Sequence, residues 1–150
     1  MKPDAEVPGV ANAYENTNGN LANVSSLHPL FPTPAGGAFS TAGDLARFMN
    51  ALQSGKLLRP DLVAAMTSDK VLADRETGDR YGFGMEIKNV NGIPAFGHAG
   101  GFNGTVANTL FFPGSRYSYS LISNISDAPN IPAQLLPAID KIITDRIKRK

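Results

Sequence analysis

The clearest hydrophobic pattern lies in STAGDLARFMNALQSGKLL. There Leu45, Phe48, Met49 and Leu52 recur at i, i+3, i+4 and i+7 with polar residues between them, one apolar face of a helix. Thr41 with Asp44 three residues on resembles a capping box, and Gly55 stands where a C′ glycine ends a helix. The spacing predicts a helix over about 42–54. RPDLVAAMTS predicts a second, short helix, with Pro60 suited to its first position. From Tyr81 the period shortens. Asn91-Gly92 and Pro113-Gly114 are turn pairs between β-rich runs, so four antiparallel strands are expected near 81–90, 93–99, 104–112 and 117–124. A last stripe of Leu135, Leu136, Ile139, Ile142, Ile143 and Ile147 predicts a helix from about 132 to 148, with Pro137 in its first turns.

These elements add up to a single α+β domain, with helices packed on a face of an antiparallel sheet of about four strands. Its parts are loop over 1–38, helices within 39–70, strands over 81–124 and a terminal helix over 132–148. The 150 residues suit one domain with a real core, for which Phe39, Leu45, Phe48, Phe83, Phe111 and Phe112 are candidates. Residues 1–38 are rich in Pro, Gly, Asn and Ser and show no sustained period, so they read as extended loop with at most short strands. Such a long loop is uncommon in a compact domain, and it hints at a missing packing partner.

Charge and composition narrow the chemistry. A net charge of +1 gives no electrostatic case for nucleic acid as the partner, and Lys148-Arg149-Lys150 reads as cations at a helix C-terminus. There is no cysteine, hence no disulfide or thiolate metal site. No apolar run approaches the length of a membrane span. Neither Ser-x-x-Lys nor Gly-x-Ser-x-Gly occurs; the nearest match, Thr67-Ser68-Asp69-Lys70, reads as a solvated turn after the second helix. The two histidines, His28 and His98, stand far apart without a second histidine or a carboxylate cluster nearby. No metal and no cofactor are expected, and His28 reads as a loop residue.

His98 stands out because FGHAGGFNG sets it among Gly97, Gly100, Gly101 and Gly104. Such a run marks a tight turn, a bulge or a ligand-contacting edge. A dinucleotide loop needs a helix after its glycines, whereas these glycines are expected between two strands.

Three blocks, PAGGAFSTAGDLARFMNALQSGKLL, YGFGMEI and FGHAGGFNGTVANTLFFPGSRYSYSLISN, together resemble the C-terminal part of the penicillin-recognising serine hydrolases over roughly residues 8–147. That group holds class C β-lactamases, DD-peptidases, D-aminopeptidases and related esterases. The resemblance implies a partial β-lactamase-like fold and a cleft built from Ser-x-x-Lys, Tyr-x-Asn and a Lys/His-x-Gly triplet on an edge strand. His98-Ala99-Gly100 is similar to the triplet, with Ala99 and Gly100 against substrate and the backbone N–H of Gly101 as half of an oxyanion hole. His98 would then place a substrate carboxylate or tune the proton-shuttling tyrosine. Ala99 stands where many members carry Thr or Ser, which argues against strong β-lactamase or carboxypeptidase activity.

Tyr14-Glu15-Asn16 imitates Tyr-x-Asn, but it stands too close to the GGAFSTAGDL block and no helix follows it, so Tyr14 reads as structural. The expected whole is a C-terminal segment of a hydrolase acting on small molecules or D-amino-acid peptides through a seryl acyl-enzyme, inactive alone. Self-association through exposed sheet or the missing half is expected with it. Two alternatives stay open: an autonomous, non-catalytic module that binds peptides or another chain by strand addition, and a separate chain that supplies Ser-x-x-Lys. The resemblance alone points to the periplasm or the exterior.

Overall fold

The computed structural model describes residues 8–28, 32–126 and 131–149. The chain is α+β. A small hairpin of β1 (Tyr14–Thr17) and β2 (Asn20–Asn23) comes first, followed by a 3-10 turn at Ser25–Leu27. Helices α1 (Ala42–Gln53) and α2 (Pro60–Met66) lead into strands β3 (Val71–Leu72), β4 (Arg80–Tyr81), β5 (Glu86–Val90), β6 (Ile93–Phe102), β7 (Thr105–Phe112) and β8 (Tyr117–Ser123). Helix α3 (Ile131–Lys148) closes the chain. Strands β3 to β8 form one antiparallel sheet in sequence order.

Local chemistry explains the boundaries. Thr41 Oγ1 accepts the Asp44 N–H at 3.0 Å and donates to the Asp44 carboxylate at 2.8 Å, a variant of the expected cap. At the other end Lys56 N–H reaches Ala51 O and Gly55 N–H reaches Leu52 O, with Gly55 left-handed at φ 72°, a Schellman closure. The β5–β6 turn carries Asn91 and Gly92 at φ 52° and 85°, both positive as a type I′ turn requires.

The sheet has more strands than expected. The run 81–90 divides, because Gly82 N–H pairs with Met85 O in a turn through Gly84 at φ 71°. This leaves β4 and β5 as separate strands, with β3 added at the edge. The glycines Gly100 and Gly101 do not lie between strands, since β6 runs on to Phe102 and only Asn103-Gly104 remain as the turn. The expected loop holds the β1–β2 hairpin, whose Asn18 and Gly19 repeat the positive-φ pair. Residues 1–7 and 29–31 of that loop lie outside the described residues.

Two cores sandwich the sheet. Met49, Leu52 and Val63 from α1 and α2 pack with Met85, Phe96 and Phe111 on one face. Ile143 of α3 packs with Ala95, Leu110 and Phe112 on the other, flanked by Val90, Ile93, Ile139 and Ile147. Three core candidates are exposed instead: Phe39, Phe48 and Phe83. Phe48 falls on the flank of a stripe centred on Met49 and Leu52, and Phe83 sits in the β4–β5 turn with the Lys70 ammonium 5.2 Å above its ring. Leu135 and Ile142 are likewise exposed, about a quarter-turn round α3 from Ile143. Thr144, buried in α3, donates to Asp140 O and accepts from Asn91 Nδ2, and Lys148 Nζ donates to Asn91 O, so α3 fastens the β5–β6 turn.

Candidate functional site

Side-chain alternation along β6 fixes what each residue of the triplet can reach. Phe96 enters the α1–α2 core, so His98, Gly100 and Phe102 share that face, while Ala95, Gly97, Ala99 and Gly101 turn toward the α3 side. The strand is interior over only part of its length. β5 pairs with it from Ile93 to Gly97, and beyond Gly97 only β7 remains beside it. The triplet therefore lies on an edge, as expected, but on an edge created where β5 stops.

His98 is exposed at the start of that edge and both its ring nitrogens are engaged. Nδ1 meets the Ala99 carbonyl, and Nε2 meets the Tyr81 hydroxyl at 2.7 Å. A carbonyl can only accept, so Nδ1 donates to it, and Nε2 makes the second hydrogen bond with the phenol. The rings of Tyr81 and His98 stand edge to face, with centroids 5.8 Å apart. In this arrangement the ring has no nitrogen left for a substrate carboxylate. Its partner is a tyrosine of the same sheet.

The backbone of the edge is equally specific. Ala99 N–H donates outward to Glu86 Oε1 at 3.3 Å. The β6–β7 register is unbroken from Phe96 to Phe102, so alternation turns Gly101 N–H to the same outward side. Gly100 has nothing within 4 Å of where a Cβ would stand, so its surface is open. Past the strand, His28 Nε2 donates to Asn103 O at 2.8 Å and its ring meets Phe102 edge-on at 5.6 Å. His28 thus anchors the turn that follows the triplet, which is more than the loop role expected of it.

Behind the edge, between the sheet and α3, a cavity of about 120 Å³ is lined by Glu86, Lys88, Asn108, Tyr119 and Asp140 among others. Burial pushes the Asp140 carboxyl up, against the pull of the Tyr119 hydrogen bond and of Lys88. Burial and the nearby Asp140 hold the Tyr119 phenol well above its ordinary range. Asn108 Oδ1 and Asp140 Oδ1 are buried with no hydrogen-bond partner among the described residues. The cavity has room for a few waters. A larger open groove of about 360 Å³ runs between α2 and the sheet past Val63, Ile87 and Phe96, away from the triplet. Its lining has no titratable or nucleophilic pair to do chemistry.

Among the described residues no group of three or more His, Cys, Asp or Glu is placed to hold a metal ion. Thr67 to Lys70 behave as a turn: the Thr67 and Ser68 hydroxyls donate back to α2 carbonyls and Asp69 pairs with Arg80. Tyr14 is built into the scaffold, its N–H on Asn124 O and its carbonyl accepting from Ser126 N–H. Sequence reasoning missed Tyr81 and Glu86. Both lie in or beside the YGFGMEI block that carried the resemblance, and nothing in their spacing from His98 announces the contact.

The sequence model of the family described as Beta-lactamase matches residues 2–141. Among solved structures, the chain is similar to a D-stereospecific amidohydrolase from Streptomyces sp., with 25% identity and a TM-score of 0.68 over 84% of this chain and 38% of that one. A penicillin binding protein from Bacillus halodurans gives 22% identity and a TM-score of 0.74, covering 97% of this chain and 42% of its own. A D-amino acid amidase from Ochrobactrum anthropi SV3, complexed with D-phenylalanine, gives 19% and 0.65, covering 90% and 44%. The last two likenesses show the fold. The chain spans 38–44% of the length of these three proteins.

Proposed function

This chain belongs to the Beta-lactamase family, and from that premise we propose that it is the C-terminal segment of a serine hydrolase that cleaves an amide or ester through a seryl acyl-enzyme. The carrying observation is the uncovered edge of β6, where Gly101 N–H turns outward two residues past Ala99. An outward backbone N–H at a cleft edge is the donor that a developing oxyanion needs. His98 and Gly101 take the catalytic-site roles in this reading, and Ala99 and Gly100 form the surface along which substrate lies. Ala99 has no hydroxyl, and both His98 nitrogens are engaged. Substrates without a carboxylate at that point are favoured, namely D-amino-acid amides, peptides or simple esters, in keeping with the amidohydrolase and amidase among the solved structures.

Ser-x-x-Lys does not occur in the 150 residues. The chain alone is therefore expected to form no covalent adduct with a fluorescent penicillin or an activated D-phenylalanine ester, as read by gel fluorescence and intact mass. In the source gene, the reading frame upstream of the Met1 codon is expected to encode Ser-x-x-Lys and a helix-borne Tyr-x-Asn. Where it does, Gly101→Pro in the longer protein removes the donor and lowers kcat by about 10²–10³-fold. An adduct on the present chain, or an upstream frame without these motifs, overturns the reading. The same open edge favours strand addition to an extended peptide as the second reading. Titration of a β-forming peptide against the β6 amides distinguishes it.

A further inference from the structure

A strand that outruns its neighbour leaves outward backbone groups to water or to side chains. β5 ends at Glu86, opposite Gly97, and β6 continues to Phe102. Along that overhang, side chains take the place of the missing strand. The Glu86 carboxylate accepts Ala99 N–H at 3.3 Å, and His98 Nδ1 occupies the Ala99 carbonyl. Lys88 Nζ holds the second Glu86 oxygen at 3.0 Å and also reaches Asp79 at 3.4 Å, so the carboxylate is itself fixed. At the far end His28 Nε2 donates to Asn103 O at 2.8 Å, and Gly104 N–H donates to Ser126 Oγ at 3.0 Å. Gly100 and Gly101, adjacent and without side chains to hold them, lie between these two anchors.

We propose that Glu86 and His28 are positioning residues, a pair of side-chain clamps that hold the overhang of β6 and fix the direction in which Gly101 N–H points. Glu86 acts through Ala99 N–H as a one-residue extension of β5. His28 acts through the Asn103 carbonyl and the Phe102 ring. The functional consequence rests on the reading of Gly101 as an oxyanion donor, where a misplacement of about 1 Å costs on the order of 10²-fold in rate. The clamp itself is a property of the chain.

The test is amide hydrogen exchange and ¹⁵N–¹H spectra of the 150-residue chain, with Glu86→Ala, Glu86→Gln and His28→Ala. Glu86→Ala is expected to speed Ala99 exchange about tenfold or more, the factor a charge-assisted hydrogen bond supplies, and to move the Gly101 resonance. Glu86→Gln retains an acceptor oxygen, so Ala99 stays protected and Gly101 stays in place although the pairing with Lys88 is weakened. His28→Ala is expected to move the Gly101 and Gly104 resonances. The Leu110 amide, in the β7 core, is expected to be unaffected throughout.

Ala99 exchange and a Gly101 resonance unchanged in Glu86→Ala overturn the proposal. Loss of Leu110 protection along with Ala99 also overturns it, because Glu86 would then serve only general sheet stability. Should Glu86→Ala fail to fold, Glu86→Gln decides, and loss of Ala99 protection there overturns the proposal. None of these readouts uses substrate, so a failed clamp leaves the catalytic reading standing. An adduct on the present chain would overturn that reading without touching the clamp.

Discussion

At Asp140 burial and charge pull against each other. Its carboxyl faces the cavity behind β6 beside Tyr119, and keeps one oxygen without a partner among the described residues. Burial raises the folded-state pKa above the unfolded value, so the folded form prefers the protonated acid. Stability from this group is fully present below the unfolded pKa of about 4 and is lost as pH rises through the folded value. Asp140→Asn keeps an oxygen for Tyr119 and removes the charge. It is expected to raise the thermal midpoint at pH 7, with the gain shrinking toward zero as pH falls below about 4, measured by thermal unfolding across that range. A gain independent of pH would show that the charge is not the cause. His98 was legible in the sequence because glycines isolate it, but its partners were not. Tyr81 and Glu86 reach the triplet only because the Gly84 turn ends β5 at that point, and no sequence spacing encodes where a neighbouring strand stops.

Two β-turn glycines separate backbone strain from packing between elements. Gly104 and Gly114 have nearly the same left-handed φ, 73° and 76°. A Cβ on Gly114 meets nothing within 4 Å, whereas one on Gly104 would lie 2.6 Å from Tyr14 N and Val24 Cγ2 and 2.9 Å from Ala13 C. Gly114→Ala is therefore expected to cost about 1–2 kcal/mol, the left-handed penalty alone. Gly104→Ala adds overpacking against the N-terminal hairpin and is expected to cost about 3 kcal/mol or more. Denaturant midpoints of the two variants measure the difference, and equal losses would mean that the hairpin yields freely. The hairpin is also where element reading fell short. Asn18-Gly19 repeats the Asn91-Gly92 turn signal, but YENT and NLAN lack the alternating apolar residues that mark a strand. Their pairing is supported by Ala13, 1% exposed, and by the Tyr14 bonds to Asn124 and Ser126. The α1 cap and the long β6–β7–β8 meander were legible because their determinants are local.

On the scale of the molecule, the two faces of the sheet are unequally covered. α3 runs beneath Ala95, Leu110 and Phe112, whereas on the other face α1 and α2 cover Phe96 and Phe111 and, among the described residues, Phe102 and Ile122 stay exposed. Ile122 of β8 pairs with Ala107, and Ala107 pairs with Gly100, so Ile122, Gly100, Phe102 and His98 share that open face. Phe102 is 50% exposed, Ile122 41%, and Phe48 on α1 48%. Large apolar side chains left exposed on one face mark an interaction site or drive association. The solved relatives are more than twice as long as this chain, so further chain is available to cover such a face in proteins of this fold. For the 150 residues alone, concentration-dependent self-association is expected, seen as a weight-average mass that rises with concentration in sedimentation equilibrium. Ile122→Thr, which leaves the His28–Phe102 contact intact, is expected to shift the mass toward that of the monomer with little change in the unfolding midpoint, since the side chain is exposed. A mass constant from low to high micromolar concentration, together with sharp cooperative unfolding, would show that the face needs no cover. The edge of β6 would then belong to a self-sufficient binding module, and the segment reading would give way to strand addition.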